Sequence, residues 1–287
     1  MDPPAIRHET LSGAALGHDA LAALFARAYS DYIVPLHVDA AALRFMASAF
    51  DIDLAASCVV HVAEQPVAFA LLAHRGSEGW IGGMGVVPEF RRHGFGRIAM
   101  LAVIARARAL GLREVWLEVL EQNAAAIPLY EALGFQRVRE LEVWSFPQPP
   151  RAGAGFAAVS APLDEARAFL RGARRGREPW QRAHGTVERL ARMVPAPEAT
   201  LLRAGDRIVG AAIHRMGPGR VSVLQLTLSD GCEPAALPEL LGSLAREDAP
   251  QGLRWLNLPA EDPAAAWVRA SGAAREAGQI EMRLALD

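Results

Sequence analysis

A short turn rich in arginine and glycine joins an apolar strand to a long helical segment in the first half of the chain. The strand is predicted over residues 81–87, the turn over residues 89–96 and the helix over residues 97–110. The backbone N–H groups at a helix start have no partner within the helix, and their partial positive charge attracts phosphate. Gly94 and Gly96 lack a Cβ atom, so a ligand can approach the backbone closely there. The turn therefore predicts a site for pyrophosphate.

Arg91 and Arg92 add two cations to this turn, and guanidinium groups bind phosphate in a bidentate manner.

Two other phosphate-binding motifs can be set aside. The chain contains no lysine, so it lacks the Gly-Lys-Ser/Thr ending of a P-loop. Gly83 and Gly85 could begin a dinucleotide-binding fingerprint, but the third glycine and the acidic residue after a second strand are missing. The simplest alternative is a tight strand-to-helix connection with solvated arginines.

Two patterns in the right order favour the functional interpretation. The first is the spacing Arg91-x-x-Gly94-x-Gly96, which resembles the acyl-CoA signature of the GNAT acetyltransferase superfamily. The second lies downstream and is similar to a later motif of that superfamily: Asn123-x-x-Ala126-x-x-Leu129-Tyr130-x-x-x-Gly134-Phe135. Two motifs in order occur by chance far more rarely than either one alone. The resemblance covers approximately residues 5–146.

This resemblance implies acetyl-CoA as the acyl donor and no metal. The strand at residues 80–87 and the next strand, at residues 114–120, are expected to diverge. The pantetheine arm of the cofactor would then bond the exposed backbone in the manner of an added strand. The candidate cofactor-binding residues are Met84, Val86, Val87, Arg91, Arg92, His93, Gly94, Phe95, Gly96, Asn123 and Tyr130.

The same resemblance gives Tyr130 the role of general acid. A tyrosine with the ordinary pKa of about 10 is protonated at neutral pH and can donate a proton to a thiolate whose pKa is about 8.5. The general base is left open, because the strand that precedes the turn carries no carboxylate. Glu118 interrupts the apolar alternation of its strand and is the candidate, with Asp31, Asp51, His74 or a chain of water molecules as weaker options.

The acceptor pocket of this superfamily is often walled by the region between and after the first two helices. Tyr29, Asp31 and Tyr32 lie there and are the candidate substrate-binding residues. Aromatic rings in the core and aspartates at helix ends would account for the same residues equally well.

Hydrophobic periodicity and turn residues predict an α+β fold. Asp39 is placed to cap a helix, and residues 57–63 and 67–74 form an antiparallel hairpin. Asn123 is expected to cap a later helix in which Pro128 makes the first turn irregular or delays its start.

A segment rich in proline and glycine at residues 147–155 predicts a linker between two domains. The first domain, residues 1–146, carries the acyl-CoA motifs and is expected to be catalytic. Residues 156–287 are expected to form a degenerate GNAT-like domain. Each domain would be a twisted, mostly antiparallel sheet flanked by helices.

The second half repeats strands of the first but lacks its chemistry. Residues 254–258 echo residues 115–119, whereas residues 230–235 place two carboxylates and a proline where the phosphate-binding turn would lie. This copy is therefore predicted not to bind CoA. The arginine-rich segment at residues 171–192 could suggest a nucleic-acid surface, but its interspersed glutamates favour a solvated helical face.

Composition limits the partners. The chain has 287 residues and a formal net charge of −2, which gives no general attraction to nucleic acid or to an acidic membrane surface. No apolar run approaches the roughly 20 residues of a membrane span, and no targeting segment is recognised, so a cytoplasmic protein is expected. Cys58 and Cys232 match no metal or disulfide framework. A monomer and a homodimer are both compatible with the sequence.

The sequence as a whole predicts an N-acetyltransferase that moves an acetyl group from acetyl-CoA to a small-molecule or amino-acid-like amine. The alternative is an acyl-CoA-binding regulatory or scaffold protein whose catalysis has decayed. The absence of an evident base favours this alternative, and Tyr130 argues against it, because binding alone needs no acid.

Overall fold

The computed structural model describes residues 6–33, 38–148, 150, 155–173, 176–232 and 236–286. The chain divides into two compact units, which are Met1–Val138 with Ile280–Asp287 and Arg139–Gln279. This division differs from the predicted boundary at residue 146, since each unit contains a strand from the other half of the sequence. Sheet partners rather than chain continuity define a compact unit. Residues 149 and 151–154 of the predicted linker lie outside the described residues.

The first unit contains six strands and five helices among its described residues. In chain order they are β1 (Glu9–Ser12), α1 (Gly13–Leu16), α2 (His18–Ala28), α3 (Ala40–Phe50), β2 (Ile52–Val62), β3 (Gln65–Arg75), β4 (Glu78–Val86), α4 (Phe95–Ala109), β5 (Glu114–Leu120), α5 (Ala126–Ala132) and the end of a late strand described below. Strands β1 to β4 pair antiparallel in sequence order, and β4 pairs parallel with β5. The predicted mixed α+β class is confirmed.

Helices cover both faces of this sheet next to β4. The side chains of Met84 and Val86 on β4 point toward the start of α4, where they lie near Gly96. Gly83 and Gly85 face the opposite way, and a Cβ atom at Gly85 would lie only 2.8 Å from the Cβ atom of Ala28 on α2. The glycines therefore give α2 room to approach the strand.

Two predicted helix starts can be checked against the backbone. Asp39 caps α3 as predicted, because its Oδ1 atom accepts the N–H of Ala42 at 2.7 Å. Helix α5 begins at Ala126, after a turn in which Asn123 Oδ1 accepts the N–H of Ala126 at 3.1 Å. The late start expected from Pro128 is confirmed, whereas the N-cap residue is Ala125 and not Asn123 as predicted.

The second unit repeats this arrangement. Its elements are β6 (Gln136–Phe146), β7 (Ala157–Ala161), α6 (Leu163–Ala173), a 3-10 helix (Trp180–Arg182), α7 (His184–Leu190), β8 (Glu198–Ala204), β9 (Arg207–Gly217), β10 (Arg220–Leu228), α8 (Ala236–Gly242), β11 (Leu253–Pro259), α9 (Pro263–Ala270) and β12 (Ala274–Ala285). Its sheet order is β6-β11-β10-β9-β8-β7, with β10 and β11 parallel and the other pairs antiparallel. The core includes Trp144, Leu240 and Trp255. The unit boundaries fall within β6 and β12: residues 139–146 belong to the second unit and residues 280–287 to the first.

Among the described residues, no helix combines the length and the apolar character that a membrane span requires. The same residues contain no group of three or more histidine, cysteine or acidic side chains that could hold a metal ion.

Candidate active site

The first unit contains a gap between two parallel strands. β4 and β5 pair only where Glu78–Trp80 lies beside Glu114–Trp116, although both strands continue beyond that point. Residues 68–75 of β3 pair with residues 78–86 of β4, and Val87 N–H donates to Val67 O at 2.9 Å. In an antiparallel ladder, neighbouring residues direct their N–H and C=O groups to opposite sides. Met84 and Val86 therefore direct theirs into the gap, where the sequence predicted two diverging strands.

The gap-facing carbonyl groups are partly engaged by side chains. The hydroxyl of Tyr29 donates to Met84 O at 2.9 Å, and Arg91 Nε donates to Val86 O at 3.2 Å. Val87 differs from the other two residues, because its N–H is bonded to β3 and its carbonyl accepts the N–H of Phe90 at 3.0 Å. The expectation that Val87 offers its backbone to a ligand does not agree with this geometry.

The turn that follows β4 presents free backbone donors. Gly94 has φ +83° and immediately precedes α4, and no side chain caps this helix. Within the described residues, no hydrogen bond is donated by the backbone N–H groups of residues 92–96. A Cβ atom at Gly94 would meet nothing within 4 Å, so the space over the turn is open. These features suit an anion at the start of α4.

Arg91 points away from this turn, contrary to the expectation from sequence. Its Nη1 and Nη2 atoms donate to both carboxylate oxygens of Asp31, at 2.7 and 2.6 Å, and Nη2 also donates to Ala28 O at 3.1 Å. With the bond to Val86, this side chain ties the end of α2 to the end of β4. The physical reason is the planar fork of the guanidinium, which matches the two oxygens of the nearby Asp31 carboxylate.

The remaining residues of the turn divide into exposed and packed ones. Arg92 and His93 are exposed, whereas the Phe95 side chain is buried and its ring lies 6.2 Å from that of His93. Gly96 is buried, and a Cβ atom there would lie 3.3 Å from Val86 Cγ2 and 3.4 Å from a Leu129 methyl group. Phe95 and Gly96 can therefore offer a ligand only their backbone.

All three tyrosines of the chain interact in this unit. The rings of Tyr29 and Tyr32 lie 4.6 Å apart, and Tyr29 stacks on Phe25 at 4.5 Å. Burial raises the pKa of Tyr130 well above its usual value, and the nearby Tyr32 raises it further. Burial also raises the pKa of Tyr32, which a hydrogen bond with Asn123 partly offsets. Tyr130, which was predicted to be catalytic, and Tyr32, which was predicted to line the acceptor pocket, therefore lie in one cluster.

The candidate bases differ in their partners. Glu118 Oε2 accepts the indole N–H of Trp80 at 2.6 Å, so its carboxylate crosses from β5 toward the last paired residue of β4. Asp31 is bound by Arg91, which lowers the pKa of its carboxyl group. Asp51 accepts a hydrogen bond of 2.6 Å from Arg75. His74 Nε2 lies 3.3 Å from Asp53 Oδ2. Sequence spacing offered no signal for any of these long-range contacts.

A model of the acetyltransferase (GNAT) family matches residues 20–135. A ribosomal protein bS18-alanine N-acetyltransferase from Salmonella typhimurium is 39% identical over 72 residues, which are 25% of this chain and 49% of that protein. A mycothiol acetyltransferase from Thermobispora bispora is 49% identical over 65 residues, which are 22% of each chain. The chain therefore spans half or less of the length of these curated relatives.

Solved structures match over almost the whole chain at low identity. A GCN5-related N-acetyltransferase from Sphaerobacter thermophilus has a TM-score of 0.71 and 17% identity, with 99% of this chain and 96% of that chain covered. A tandem GNAT protein from the clavulanic acid biosynthesis pathway has a TM-score of 0.68 and 16% identity, with 97% and 98% covered. These structures share the fold of this chain. Over residues 20–135, the chain resembles the GNAT acetyltransferase family.

Proposed function

We propose that the first unit transfers an acetyl group from acetyl-CoA to the amine of a small-molecule or amino-acid-like acceptor. The observation that carries this proposal is the gap between β4 and β5, into which Met84 and Val86 direct backbone groups. GNAT enzymes use acetyl-CoA as a property of the family. The open backbone donors of residues 92–96 lie directly after β4, so one elongated ligand can use the gap and the turn together.

The residues present fit an acyl-CoA. The N–H groups of residues 92–96 would hold the pyrophosphate, with Arg92 and His93 as exposed basic side chains beside it. Met84 and Val86 would bond the pantetheine arm through their N–H groups, while their carbonyl groups remain held by Tyr29 and Arg91. Arg91 and Asp31 would position the turn and the end of α2 rather than bind phosphate.

Tyr130 would act as the general acid. Acetyl-CoA, when bound, supplies the acetyl group as a thioester. The raised pKa of the Tyr130 hydroxyl keeps it protonated throughout the neutral range, so the hydroxyl is present to donate a hydrogen bond to a departing sulfur. Asn123 lies before α5 and forms a hydrogen bond with Tyr32. This bond holds the Tyr32 side chain in place beside Tyr130.

Glu118 is the proposed general base, because its carboxylate lies beside the last paired residue of β4, where the two strands of the gap separate. Arg91 holds Asp31 and lowers the pKa of its carboxyl group, so that carboxylate accepts a proton less readily. Asp51 accepts a hydrogen bond from Arg75. The Trp80 indole orients one oxygen of Glu118 at the point where the strands separate. An ammonium group that reaches this point could lose its proton to that carboxylate.

The acceptor class rests on the relatives. One relative is named for acetylating an alanine nitrogen on a ribosomal protein and another for acetylating mycothiol. A suitable acceptor panel therefore contains small primary amines, amino acids and short peptides with a free N-terminal alanine.

The test is acetyl-CoA-dependent thiol release by the full chain with this panel. The proposal expects release with at least one amine and a matching N-acetyl product by mass spectrometry. Glu118→Gln should lower kcat at neutral pH and flatten its rise with pH, whereas Glu131→Gln, at an exposed carboxylate on α5, serves as the matched control. Binding of acetyl-CoA without release for any amine would instead support a binding or scaffold protein.

A further inference from the structure

The second unit contains the counterpart of the gap between β4 and β5. Strands β10 and β11 pair in parallel only where residues 221–223 lie beside residues 253–255, and both strands continue beyond. Ser229 N–H donates to Val209 O at 2.8 Å, as Val87 N–H does to Val67 O in the first unit. The pairing register skips one residue in each case, Gly82 on β4 and Leu224 on β10.

The side chain of Arg182 bridges the two strands of this second gap. Its Nε atom donates to Leu224 O on β10 at 2.8 Å, and its Nη1 atom donates to Asn257 O on β11 at 2.8 Å. Leu224 is the residue that corresponds to Gly82, and Asn257 stands where the sequence repeat places Glu118. The guanidinium therefore occupies the position that corresponds to the proposed reactive centre of the first unit.

Arg182 is fully buried, and a buried charge is stable only when it is paired and hydrogen-bonded. Its Nε atom lies 3.6 Å from the carboxylate of Glu178, and its guanidinium carbon lies 5.9 Å from the centre of the Trp255 ring. Arg182 therefore does not lie on the solvated helical face that its arginine-rich segment predicted.

The backbone that carries Arg182 is held in place as well. The Gln225 side chain donates to Arg182 O at 2.6 Å, and Asn257 Nδ2 donates to the side-chain oxygen of Gln181 at 3.3 Å. Thr186 donates to Trp180 O at 2.6 Å. The segment lies between α6 and α7, as the proposed acceptor wall lies between α2 and α3 in the first unit.

We propose that Arg182 is a built-in occupant of the second gap, so that the second unit binds no acyl-CoA and its gap is instead a site for a guanidinium group. This inference goes beyond the proposed function and does not depend on it. The occupant of the second gap has a defined chemistry, since it is a planar cation that donates to one carbonyl group of each strand. The predicted loss of CoA binding through residues 230–235 becomes a secondary point, since Glu233, Pro234 and Ala235 lie outside the described residues.

The experiment truncates Arg182 and supplies a free guanidinium ion. The variants of the full chain are Arg182→Ala, Arg182→Lys, which keeps the charge but loses the planar fork, and the control Arg207→Ala at an exposed position at the start of β9. Thermal unfolding is followed without additive, with 10 mM methylguanidinium chloride and with 10 mM methylammonium chloride.

Removing one member of a buried charged cluster should lower the unfolding midpoint of Arg182→Ala by about 6 to 12 °C. Methylguanidinium should recover part of this loss in Arg182→Ala, methylammonium should not, and neither salt should shift the parent chain or Arg207→Ala. An unchanged midpoint in Arg182→Ala, or equal recovery by both salts, would overturn the proposal. If Arg182→Ala does not fold, the unfolding midpoint of Arg182→Lys is compared with that of the parent chain, and the effects of the two salts on it are compared in the same way.

Calorimetric titration of the parent chain with acetyl-CoA gives a second readout. Two equivalents bound per chain would overturn the closed second gap. No binding at all would count against the proposed function of the first unit and leave the midpoint result standing, so the two failures are distinguishable.

Discussion

Both units contain a pair of parallel strands that diverge, but the gap between those strands is occupied differently in each unit. In the first unit, the gap-forming strand β4 carries glycines at 82, 83 and 85, and the N–H groups of Met84 and Val86 face its gap. In the second unit, β10 has Leu224, Gln225 and Thr227 in the corresponding stretch, and Arg182 bridges the strands. A strand gap is thus a property of the fold, whereas an acyl-CoA site also requires that the chain leave the gap open.

The difference also concerns how each unit satisfies its polar groups. Carbonyl groups that face a gap lack a ladder partner and need another donor. Tyr29 and Arg91 supply donors from the rim of the first gap, which leaves the N–H groups of Met84 and Val86 for a ligand. Arg182 supplies two donors from inside the second gap. The arrangement in the first unit is compatible with binding of a ligand in the gap. In the second unit, Arg182 takes the place of such a ligand.

The largest effect is expected from Tyr130→Phe, which removes only the hydroxyl. If Tyr130 is the general acid of the open gap, kcat should fall by about 100- to 1,000-fold while the Kd for acetyl-CoA changes little. The raised pKa of Tyr130 means that its proton is retained to higher pH than in an ordinary tyrosine, so no loss of its acid function is expected below about pH 10.

Tyr29→Phe and Tyr32→Phe are matched controls for this prediction, since they make the same change in the same cluster. Steady-state rates at several pH values provide the measurement. A full loss of activity in Tyr32→Phe together with normal activity in Tyr130→Phe would move the acid to Tyr32.

The next-largest effect is expected from substitutions in the phosphate-binding turn. Gly94→Asp copies into the first unit a carboxylate like that of Asp230 in the second half, and Gly94→Asn is its uncharged match. Both residues tolerate the left-handed conformation at φ +83°, and the space around the new side chain is open. The Kd for acetyl-CoA should be about tenfold or more higher in Gly94→Asp than in Gly94→Asn, because a negative charge would face the pyrophosphate. Equal affinities would place the pyrophosphate elsewhere.

A smaller effect is expected at the Arg91–Asp31 pair, whose members are partly exposed. Arg91→Gln or Asp31→Asn should raise the KM for the amine by about three- to fivefold and leave acetyl-CoA affinity almost unchanged, because an exposed ion pair contributes little free energy. The double variant should be no worse than the poorer single one if the two residues act together. A large loss of acetyl-CoA binding in Arg91→Gln would restore the phosphate-binding role that the sequence suggested.

The smallest effect is a difference in thiol reactivity between the units. Burial raises the pKa of Cys58 to about 11, so at pH 8 only about one thiol in a thousand is ionised. Cys232 of the second unit is half-buried. Iodoacetamide at pH 8 should therefore label Cys232 first and reach Cys58 only in denaturant. Peptide mass spectrometry would reveal the order, and early labelling of Cys58 would mean that the first unit opens more readily than its packing indicates.

Local features of the fold could be predicted from the sequence. The strand at residues 114–120 matches β5, and Asp39 caps its helix, because alternation and capping depend on neighbours in the chain. The partners of the arginines could not be predicted. Arg91 meets Asp31 across 60 residues, and Arg182 meets Asn257 across 75 residues, so only tertiary structure brings them together. A charged residue in an arginine-rich segment gives no local sign that it is buried.

One gap of the chain is proposed to be open to acyl-CoA and the other to be filled by Arg182. A calorimetric titration of the full chain with acetyl-CoA distinguishes this arrangement from two open gaps. We expect one equivalent bound per chain, with affinity weakened by Gly94→Asp and unaffected by Gly94→Asn. Two equivalents, or one equivalent that Gly94→Asp leaves unchanged, would contradict it.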